Sequence, residues 1–309
     1  MPLIPAAQSR DTSSISATRT ECRLTGSRNG SRSRSSRSAA TAPRPKKRFG
    51  QHFLSDVNLL NRIVDAAGLG PDSTVLEVGP GRGALTAVLA DRAARVVAVE
   101  VDRDLTELLR QRFAASDAVS IIEADVLERT PEELLAQDGG AAPYVVVANL
   151  PYNIAAPVLR RLLEAQTPPL RLVVMVQLEV GEAIVAKPGH MSLLSVGIQI
   201  YADAHMVMKL AAGAFTPPPK VQSAVVLLDV LPQPRVDVPI DSFFRIVRAG
   251  FGNPRKQLRN SLSFGLHVKQ EVVDELMERT GIDATLRPQM LSIEDWASIT
   301  RGWLARSPR

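Results

Sequence analysis

Cysteine and histidine are scarce in this sequence of 309 residues. Cys22 is the one cysteine, and the four histidines lie far apart. A disulfide framework and a cysteine-based zinc site are therefore excluded, and no histidine spacing typical of metal ligands occurs. No apolar run approaches the roughly 18 residues that a membrane-spanning helix requires. The sequence thus predicts a protein without a metal site or a membrane segment.

Net charge is also small once the first 45 residues are set apart. That segment contains eight arginines and two acidic residues, whereas the rest of the chain contains 29 basic and 30 acidic residues. The body of the chain is therefore not a uniformly basic nucleic-acid binder. Any RNA-binding surface there must come from local clusters of lysine and arginine.

Residues 1–43 lack apolar segments and are rich in serine and arginine, notably between Ser31 and Ser38. Such a composition buries too little apolar surface to fold, so it predicts a disordered tail. The segment has no apolar core of the kind found in secretory signals. An organelle transit peptide, a misplaced start and an RNA-contacting tail remain alternatives.

Strand and helix patterns alternate from about residue 44 onward. Short apolar runs predict strands at 74–78, 95–100, 119–122, 144–148 and 172–176. Amphipathic stretches predict helices at 84–90, 102–113 and 155–163. Continuous apolar strands that alternate with helices are typical of a parallel sheet covered on both faces. The sequence therefore predicts an α/β, Rossmann-like domain over residues 44–235.

Two later runs, 193–201 and 221–231, predict longer strands that pair antiparallel at one edge of the sheet. The strands then stop at a proline-rich segment, 231–234. Helices are predicted at 243–251, 256–264, 270–280 and 293–304. We therefore expect a second, small helical domain over residues 236–309.

A glycine-rich loop, 79–83, follows the first predicted strand. Glycines allow the backbone to approach a ligand in the crevice of an α/β sheet. Glu100 ends the second strand, where its carboxylate can accept both hydrogen bonds of a ribose diol. Asp125 follows the third strand and can accept a hydrogen bond from an adenine amino group. These strand ends predict a site for a cofactor that contains adenosine.

Two features favour S-adenosylmethionine over NAD. The loop lacks the third glycine of the dinucleotide pattern, because Ala84 occupies that place. Glu77 stands two residues before the first glycine, and it suits a cofactor with ammonium and sulfonium cations better than a pyrophosphate. NAD binding and a purely structural turn remain alternatives on these residues alone.

The segment Asn149-Leu150-Pro151-Tyr152 directly follows the fourth predicted strand. The exocyclic nitrogen of adenine is a poor nucleophile because its lone pair is delocalised into the ring. An asparagine oxygen and a backbone carbonyl can accept its two N–H bonds and direct the lone pair at a methyl group. Pro151 fixes the turn, and Tyr152 can stack on an extruded base. The segment therefore predicts methylation of adenine N6, achieved mostly by positioning.

A second aromatic candidate is Phe215, which stands just before three consecutive prolines. On such a rigid loop its ring is predicted to cover the other face of the base. Lys220, at the end of the loop, is predicted to contact a phosphate. The alternative is a phenylalanine that packs in the core below the loop.

From about Pro45 to Ile299 the sequence resembles the small-subunit ribosomal RNA adenine N6,N6-dimethyltransferases, the kasugamycin-susceptibility enzymes of bacteria. The resemblance is carried by segments 46–54, 77–83, 149–152, 214–220 and 255–262. It implies a Rossmann-like S-adenosylmethionine-dependent methyltransferase with a small helical C-terminal domain. It also implies dimethylation of two adjacent adenosines in the 3′-terminal hairpin of small-subunit rRNA, with a role in subunit biogenesis.

The resemblance also assigns roles to individual residues. The implied cofactor contacts are His52, Leu54, Gly79, Glu100, Asp125 and Asn149. The implied RNA contacts are Lys46, Lys47, Arg48, Lys220, Arg255, Lys256 and Arg259. The spacing of the last three places them largely on one helical face, where phosphates are their expected partners.

The sequence departs from the family pattern at three places. His52 stands where asparagine is frequent, Leu178 replaces a usual lysine, and residues 181–183 lack a usual arginine. The implied partner is small-subunit rRNA in a pre-30S particle, in the cytoplasm. A monomer is expected, since nothing in the sequence requires an oligomer.

Other functions on the same fold remain open at this point. They are a large-subunit rRNA adenine dimethylase of the macrolide-resistance type, a DNA adenine methylase, and a non-catalytic assembly or mitochondrial transcription factor. Leu150 disfavours the DNA enzyme, where proline is more frequent. Segment 255–262 disfavours the resistance type, and the intact 149–152 segment favours catalysis.

Overall fold

The computed structural model describes residues 51–137, 139 and 142–306. The predicted tail and the basic residues Lys46, Lys47 and Arg48 lie outside these residues. The strands within them are β1 (Phe53–Leu54), β2 (Thr74–Val78), β3 (Arg95–Glu100), β4 (Val119–Glu123), β5 (Val145–Asn149), β6 (Arg171–Gln177), β7 (Ala202–Leu210), β8 (Phe215–Thr216) and β9 (Ser223–Val230).

Helices alternate with these strands and then follow them. They are α1 (Val57–Ala67), α2 (Ala84–Ala90), α3 (Arg103–Arg112), α4 (Pro131–Ala136), α5 (Ala155–Leu163), α6 (Leu178–Ile184), α7 (Leu193–Gln199), α8 (Ile240–Phe251), α9 (Leu258–Leu266), α10 (Gln270–Thr280) and α11 (Ile293–Leu304).

The main sheet of the described chain has the strand order β4-β3-β2-β5-β6-β9-β7. The strands from β4 to β6 are parallel, and β9 and β7 extend the sheet antiparallel. Helices α1 and α2 cover one face of this sheet, and α4 and α5 cover the other. Adjacent residues of one strand, such as Val96 and Val97, are therefore both fully buried. This arrangement explains the continuous apolar runs in the sequence.

The prediction of a strand at 193–201 was wrong, because this segment forms α7. Ser192 caps the helix, and Ser195 completes a capping box by hydrogen bonding back to the Ser192 backbone. The antiparallel edge strand is instead β7. Asp203 and His205 alternate with buried and half-buried apolar residues as in a strand with one exposed face, but a β-bulge between Met206 and Met208 interrupts the alternation before Lys209. The prediction for β9 agrees with the structure.

Helices α8 to α11 pack around their own apolar cluster, which includes Phe243, Leu262, Leu276 and Trp296. Val196 of α7 also packs in this cluster, although α7 lies within residues 44–235, the first domain predicted from the sequence. The division at residues 235 and 236 therefore stays a prediction. A short ribbon, β1 paired antiparallel with β8, lies apart from the main sheet and borders the candidate site.

Candidate active site

The carboxyl ends of the parallel strands border a cavity of about 400 Å³. Ligands of α/β sheets bind in this crevice, and the volume is in the range for a small cofactor. Most of the predicted cofactor and catalytic residues line it together. They are His52, Leu54, Gly79, Glu100, Asp125, Asn149, Leu150, Pro151 and Tyr152.

The glycine loop approaches the cavity in a conformation that other residues rarely adopt. Gly79 and Gly81 have φ angles of +70° and +60°. A Cβ at Gly81 would lie 2.8 Å from the ring of Phe53, which covers the loop. The guanidinium of Arg82 lies 4.7 Å from the centre of the same ring. Sequence reasoning assigned no role to Phe53, although an aromatic residue within segment 46–54 was a usable signal.

Glu100 is nearly buried and is held by backbone N–H groups on both carboxylate oxygens. Its Oε1 accepts hydrogen bonds from the amides of Val101 and Asp102 at 3.1 and 3.0 Å, and Oε2 accepts one from Gly81 at 3.2 Å. Burial raises the pKa of Glu100, and the backbone hydrogen bonds oppose that rise. The carboxylate is thus fixed at the strand end where a ribose diol is expected.

Asp125 lies at the end of the next strand along the sheet. Its Oδ1 accepts a hydrogen bond from the Leu127 amide at 2.8 Å. This contact orients the carboxylate at the wall of the cavity, and its contact to adenine stays a prediction.

Glu77 lines the cavity and is 1% exposed. Its Oε2 has no hydrogen-bond partner among the described residues. Burial is the main cause that raises the pKa of Glu77 to about 8. The charge of Glu100 adds to this rise, and the neighbouring hydroxyl of Thr86 opposes it.

Asn149 presents its side-chain oxygen as the available acceptor. Its Nδ2 donates a hydrogen bond to the carbonyl oxygen of His52 at 2.9 Å. The next residue, Leu150, is 1% exposed and packs its side chain into the core. Its amide donates to the carbonyl of Met175 at 3.2 Å. Leu150 therefore anchors the turn, and Asn149 faces the cavity.

Tyr152 is held at its ring and at its hydroxyl. The rings of His52 and Tyr152 are stacked with centroids 5.7 Å apart. The Tyr152 hydroxyl and the Ser223 hydroxyl are hydrogen bonded at 2.7 Å, and His52 Nδ1 donates to the Pro217 carbonyl at 2.8 Å. Ser223 is fully buried, and sequence reasoning missed it because nothing distinguishes one serine in a predicted strand.

Phe215 does not line the cavity in this structure. It is 2% exposed, and it packs in an apolar cluster with Leu54 and Leu60. The antiparallel pairing of β1 with β8 places Phe215 directly opposite Leu54 and explains this position. The prediction that its ring covers a base is therefore wrong for this structure. Lys220, at the end of the same loop, is exposed.

The predicted basic cluster near α9 is arranged differently from the expectation. Helix α9 begins at Leu258, so Arg255 and Lys256 lie in the preceding turn, where both are exposed. Arg259 lies on the helix and forms an ion pair with Asp274 of α10 at 2.6 Å. The three cations therefore do not share one helical face.

The side chains at the cavity fit S-adenosylmethionine. Gly79 and Gly81, both at positive φ, bring the backbone of the loop to the edge of the cavity, and Glu100 is held there as a hydrogen-bond acceptor for hydroxyl groups. The unpartnered oxygen of Glu77 suits a cationic ligand. The fold and the site together define a Rossmann-like S-adenosylmethionine-dependent methyltransferase.

Comparison with known proteins narrows this class. The sequence model of the ribosomal RNA adenine dimethylases matches residues 43–303. The ribosomal RNA small subunit methyltransferase A of Dehalococcoides mccartyi strain CBDB1 is 44% identical over 82% of this chain and 87% of its own length. The ribosomal RNA small subunit methyltransferase A of Geobacter sulfurreducens is 44% identical over 85% of this chain and 96% of its own length. The chain belongs to the ribosomal RNA adenine dimethylase family.

Solved structures agree with this assignment. The 23S rRNA methyltransferase ErmE is 27% identical, with a TM-score of 0.65 over 81% of this chain and 98% of its own. A dimethyladenosine transferase from Plasmodium falciparum shows the same fold. It is 21% identical, with a TM-score of 0.67 over 80% of this chain and 96% of its own.

These comparisons confirm the predicted fold class, a methyltransferase enzyme, and S-adenosylmethionine as methyl donor. They support the catalytic interpretation over a non-catalytic factor. Within the described residues, no helix is long and apolar enough to cross a membrane.

Proposed function

We propose that this enzyme methylates N6 of two adjacent adenosines in the 3′-terminal hairpin of small-subunit rRNA, giving N6,N6-dimethyladenosine. The observation that carries the proposal is the fixed carboxamide of Asn149 at the end of β5, beside the cofactor cavity. The names of the relatives from Dehalococcoides mccartyi and Geobacter sulfurreducens support the small subunit as the source of the RNA.

Asn149 activates the adenine amine by orientation. Because Nδ2 is engaged by the His52 carbonyl, Oδ1 accepts an N–H bond from the substrate. A backbone carbonyl of the 149–152 turn accepts the second N–H bond. The nitrogen then becomes pyramidal and its lone pair points into the cavity. The nitrogen gains positive charge as its bond to the methyl carbon forms and the carbon–sulfur bond breaks, so both acceptors stabilise the transition state more than the ground state. The charged nitrogen then loses one proton to solvent.

Tyr152 holds the extruded base. Its ring is kept in place by His52 on one side and by the hydroxyl contact to Ser223 at the other end. Burial raises the pKa of Tyr152, so the phenol stays neutral at physiological pH. A neutral, rigid ring is suited to stacking, and it needs no proton transfer for this role.

The predicted cofactor residues would hold the methyl donor in the same cavity. Glu100 accepts hydrogen bonds from the ribose hydroxyls, and Asp125 accepts one from the adenine of the cofactor. Gly79 allows close approach of the methionine part. S-adenosylmethionine, when bound, supplies an electrophilic methyl group on a positively charged sulfur. Rate enhancement then comes mainly from holding nitrogen and carbon in line.

Exposed cations extend the site toward the RNA backbone. Lys220 ends the loop that follows Phe215, and Arg255 and Lys256 lie in the turn before α9. They contact phosphates in this proposal, as do Lys46, Lys47 and Arg48. A pre-30S particle as substrate, action as a monomer and a cytoplasmic location are parts of the same proposal.

The test is methylation of defined ribosomal particles by the purified protein with S-adenosylmethionine. Small subunits that lack these modifications and matched large subunits are treated in parallel. The modified nucleosides are then identified and located by mass spectrometry of RNA fragments. We expect dimethyladenosine at two adjacent positions near the 3′ end of the small-subunit rRNA. Modification of the large subunit alone would contradict the proposal.

A further inference from the structure

Glu77 is a buried carboxylic acid in the wall of the cofactor cavity, and the mechanism above does not use it. In the parallel sheet it lies level with Ala98 of β3 and Val147 of β5. Its neighbours on both sides are therefore apolar. Oε2 is buried without a hydrogen-bond partner among the described residues. An ionised carboxylate in such a place is costly unless a cation lies next to it.

The titratable groups around Glu77 do not supply that cation. From β3 the facing group is Glu100, another acid. Neither β5 nor α2 contains a titratable side chain, and Arg62 and Asp65 of α1 are exposed. Arg82, in the glycine loop, lies over the ring of Phe53. Glu77 lines the cavity, so a cationic ligand bound there can supply the positive charge that these groups do not.

We infer that Glu77 is a neutral acid in the cofactor-free enzyme, loses its proton when S-adenosylmethionine binds, and so selects the cationic cofactor over its neutral product. The O–H bond of the carboxyl breaks, the electron pair stays on the carboxylate and the proton passes to solvent. This inference rests on the proposed cofactor site and adds a specificity-determining residue to it.

Methyl transfer removes the reason for this ionisation. The sulfonium carries one positive charge, whereas the thioether of S-adenosylhomocysteine carries none. The carboxylate then lies buried beside its acidic neighbour Glu100 without the sulfonium charge, and the ammonium that remains on the product is balanced by the product's own carboxylate. It takes up a proton again, and the product binds more weakly than the cofactor. Glu77 thereby favours release of the product, which otherwise differs from the cofactor by a single methyl group.

The expected proton release can be given a size. Because the pKa of Glu77 is about 8 in the free protein, the group is mostly protonated at pH 7. If the cofactor lowers that pKa to about 6 or below, roughly 0.8 proton is released for each molecule bound at pH 7. Binding that releases protons becomes stronger as the pH rises. The affinity for S-adenosylmethionine should therefore increase by about six- to eightfold from pH 6.5 to 7.5.

Isothermal titration calorimetry of the full-length protein tests this inference. S-adenosylmethionine and S-adenosylhomocysteine are each titrated at pH 7 in buffers with different ionisation enthalpies, such as phosphate and Tris. The dependence of the observed enthalpy on buffer gives the number of protons released. Both ligands carry the same amino acid group, so the difference between them isolates the effect of the sulfonium.

Two variants identify the group that titrates. Glu77→Gln keeps the shape but has no proton to lose, so we expect the extra proton release to vanish and the preference for cofactor over product to fall by about tenfold. Glu100→Gln, in the same cavity, should weaken binding and reduce the release without abolishing it, because burial, the main cause of the raised pKa of Glu77, remains. Loss of the release in Glu100→Gln and its persistence in Glu77→Gln would overturn the inference.

The wild-type titration alone also decides the matter if a variant does not fold. Equal proton release for both ligands, or none for either, contradicts the role of Glu77. Failure of S-adenosylmethionine to bind at all would instead contradict the proposed function, so the two failures are distinguishable.

Discussion

The carboxamide of Asn149 is hydrogen bonded to the backbone of His52, 97 residues away in the sequence, at 2.9 Å. The donor is a side chain at the end of β5, and the acceptor is the carbonyl just before β1. The His52 ring also stacks on Tyr152, and its Nδ1 contacts Pro217. A short segment thus fixes both the acceptor for the adenine amine and the platform for its ring.

The hydrogen bond between Tyr152 and Ser223 should influence catalysis without determining the fold. Tyr152→Phe and Ser223→Ala should each lower kcat/KM by about 3- to 10-fold, the effect of one hydrogen bond of about 0.5–1.5 kcal/mol. The double variant should lose no more than either single variant, because both changes remove the same hydrogen bond. Single-turnover kinetics on unmodified small subunits provide the measurement. Multiplicative losses would show that Ser223 does not act through Tyr152.

Removal of the Glu100 carboxylate should weaken cofactor binding. Glu100→Ala is expected to raise the Kd for S-adenosylmethionine by one to two decades, the effect of charge-assisted hydrogen bonds worth about 1.5–3 kcal/mol. Affinity for RNA should not change, because the carboxylate is buried at the cofactor side. Calorimetry measures the first quantity and filter binding the second. An unaltered cofactor Kd would remove Glu100 from the site.

The structure divides the basic residues near α9 into two groups with different expected effects. Arg255→Ala combined with Lys256→Ala should reduce the slope of log affinity against log salt by about 0.7–0.9 for each phosphate that is no longer neutralised. Arg259→Ala should change this slope less, because Arg259 is paired with Asp274. That pair is partly exposed, so its removal should cost at most about 1 kcal/mol of stability. A larger reduction of the slope by Arg259→Ala than by the double variant would show that Arg259 contacts the RNA.

Alanine substitutions at two helical glycines should change the free energy of unfolding in opposite directions. A Cβ at Gly265 of α9 would lie 2.6 Å from the Cα of Ala249 in α8, so Gly265→Ala must push two helices apart. We expect it to lower the free energy of unfolding by about 1–3 kcal/mol. Gly197 of α7 has open space around its Cα, and Gly197→Ala should raise stability by up to about 1 kcal/mol. Urea denaturation measures the free energy of unfolding of both variants. A change in the same direction in both would contradict the described helix packing.

The parallel part of the sheet could be predicted because its sequence signal is local. Each buried strand is a largely apolar run; Glu100, Asp125 and Asn149 end or follow such a run, and Glu77 lies one residue before the end of β2. Parallel strands bring their carboxyl ends to one edge of the sheet. Recognition of the strands along the chain was therefore sufficient to predict which residues lie on the cofactor side of the site.

Errors arose where long-range contacts determine the structure. Residues 193–201 are the exception, because the capping box between Ser192 and Ser195 is a local signal for a helix, and the prediction followed the strand-like apolar composition of the segment instead. Phe215 is drawn into the core by its pairing with Leu54, and Arg259 is engaged by Asp274. The hydrogen bond from Asn149 to His52 and that between Tyr152 and Ser223 join distant segments. No pattern within either segment indicates its partner.

Single-turnover methylation of unmodified small subunits by Asn149→Ala tests the central claim most directly. The change removes the acceptor for the adenine amine and leaves the glycine loop and the exposed cations in place. We predict that the rate falls by at least about 10²-fold, or about 2.7 kcal/mol, while RNA affinity changes little. A rate equal to that of the wild type, with the cofactor still bound, would contradict the proposed role of Asn149 and the mechanism built on it.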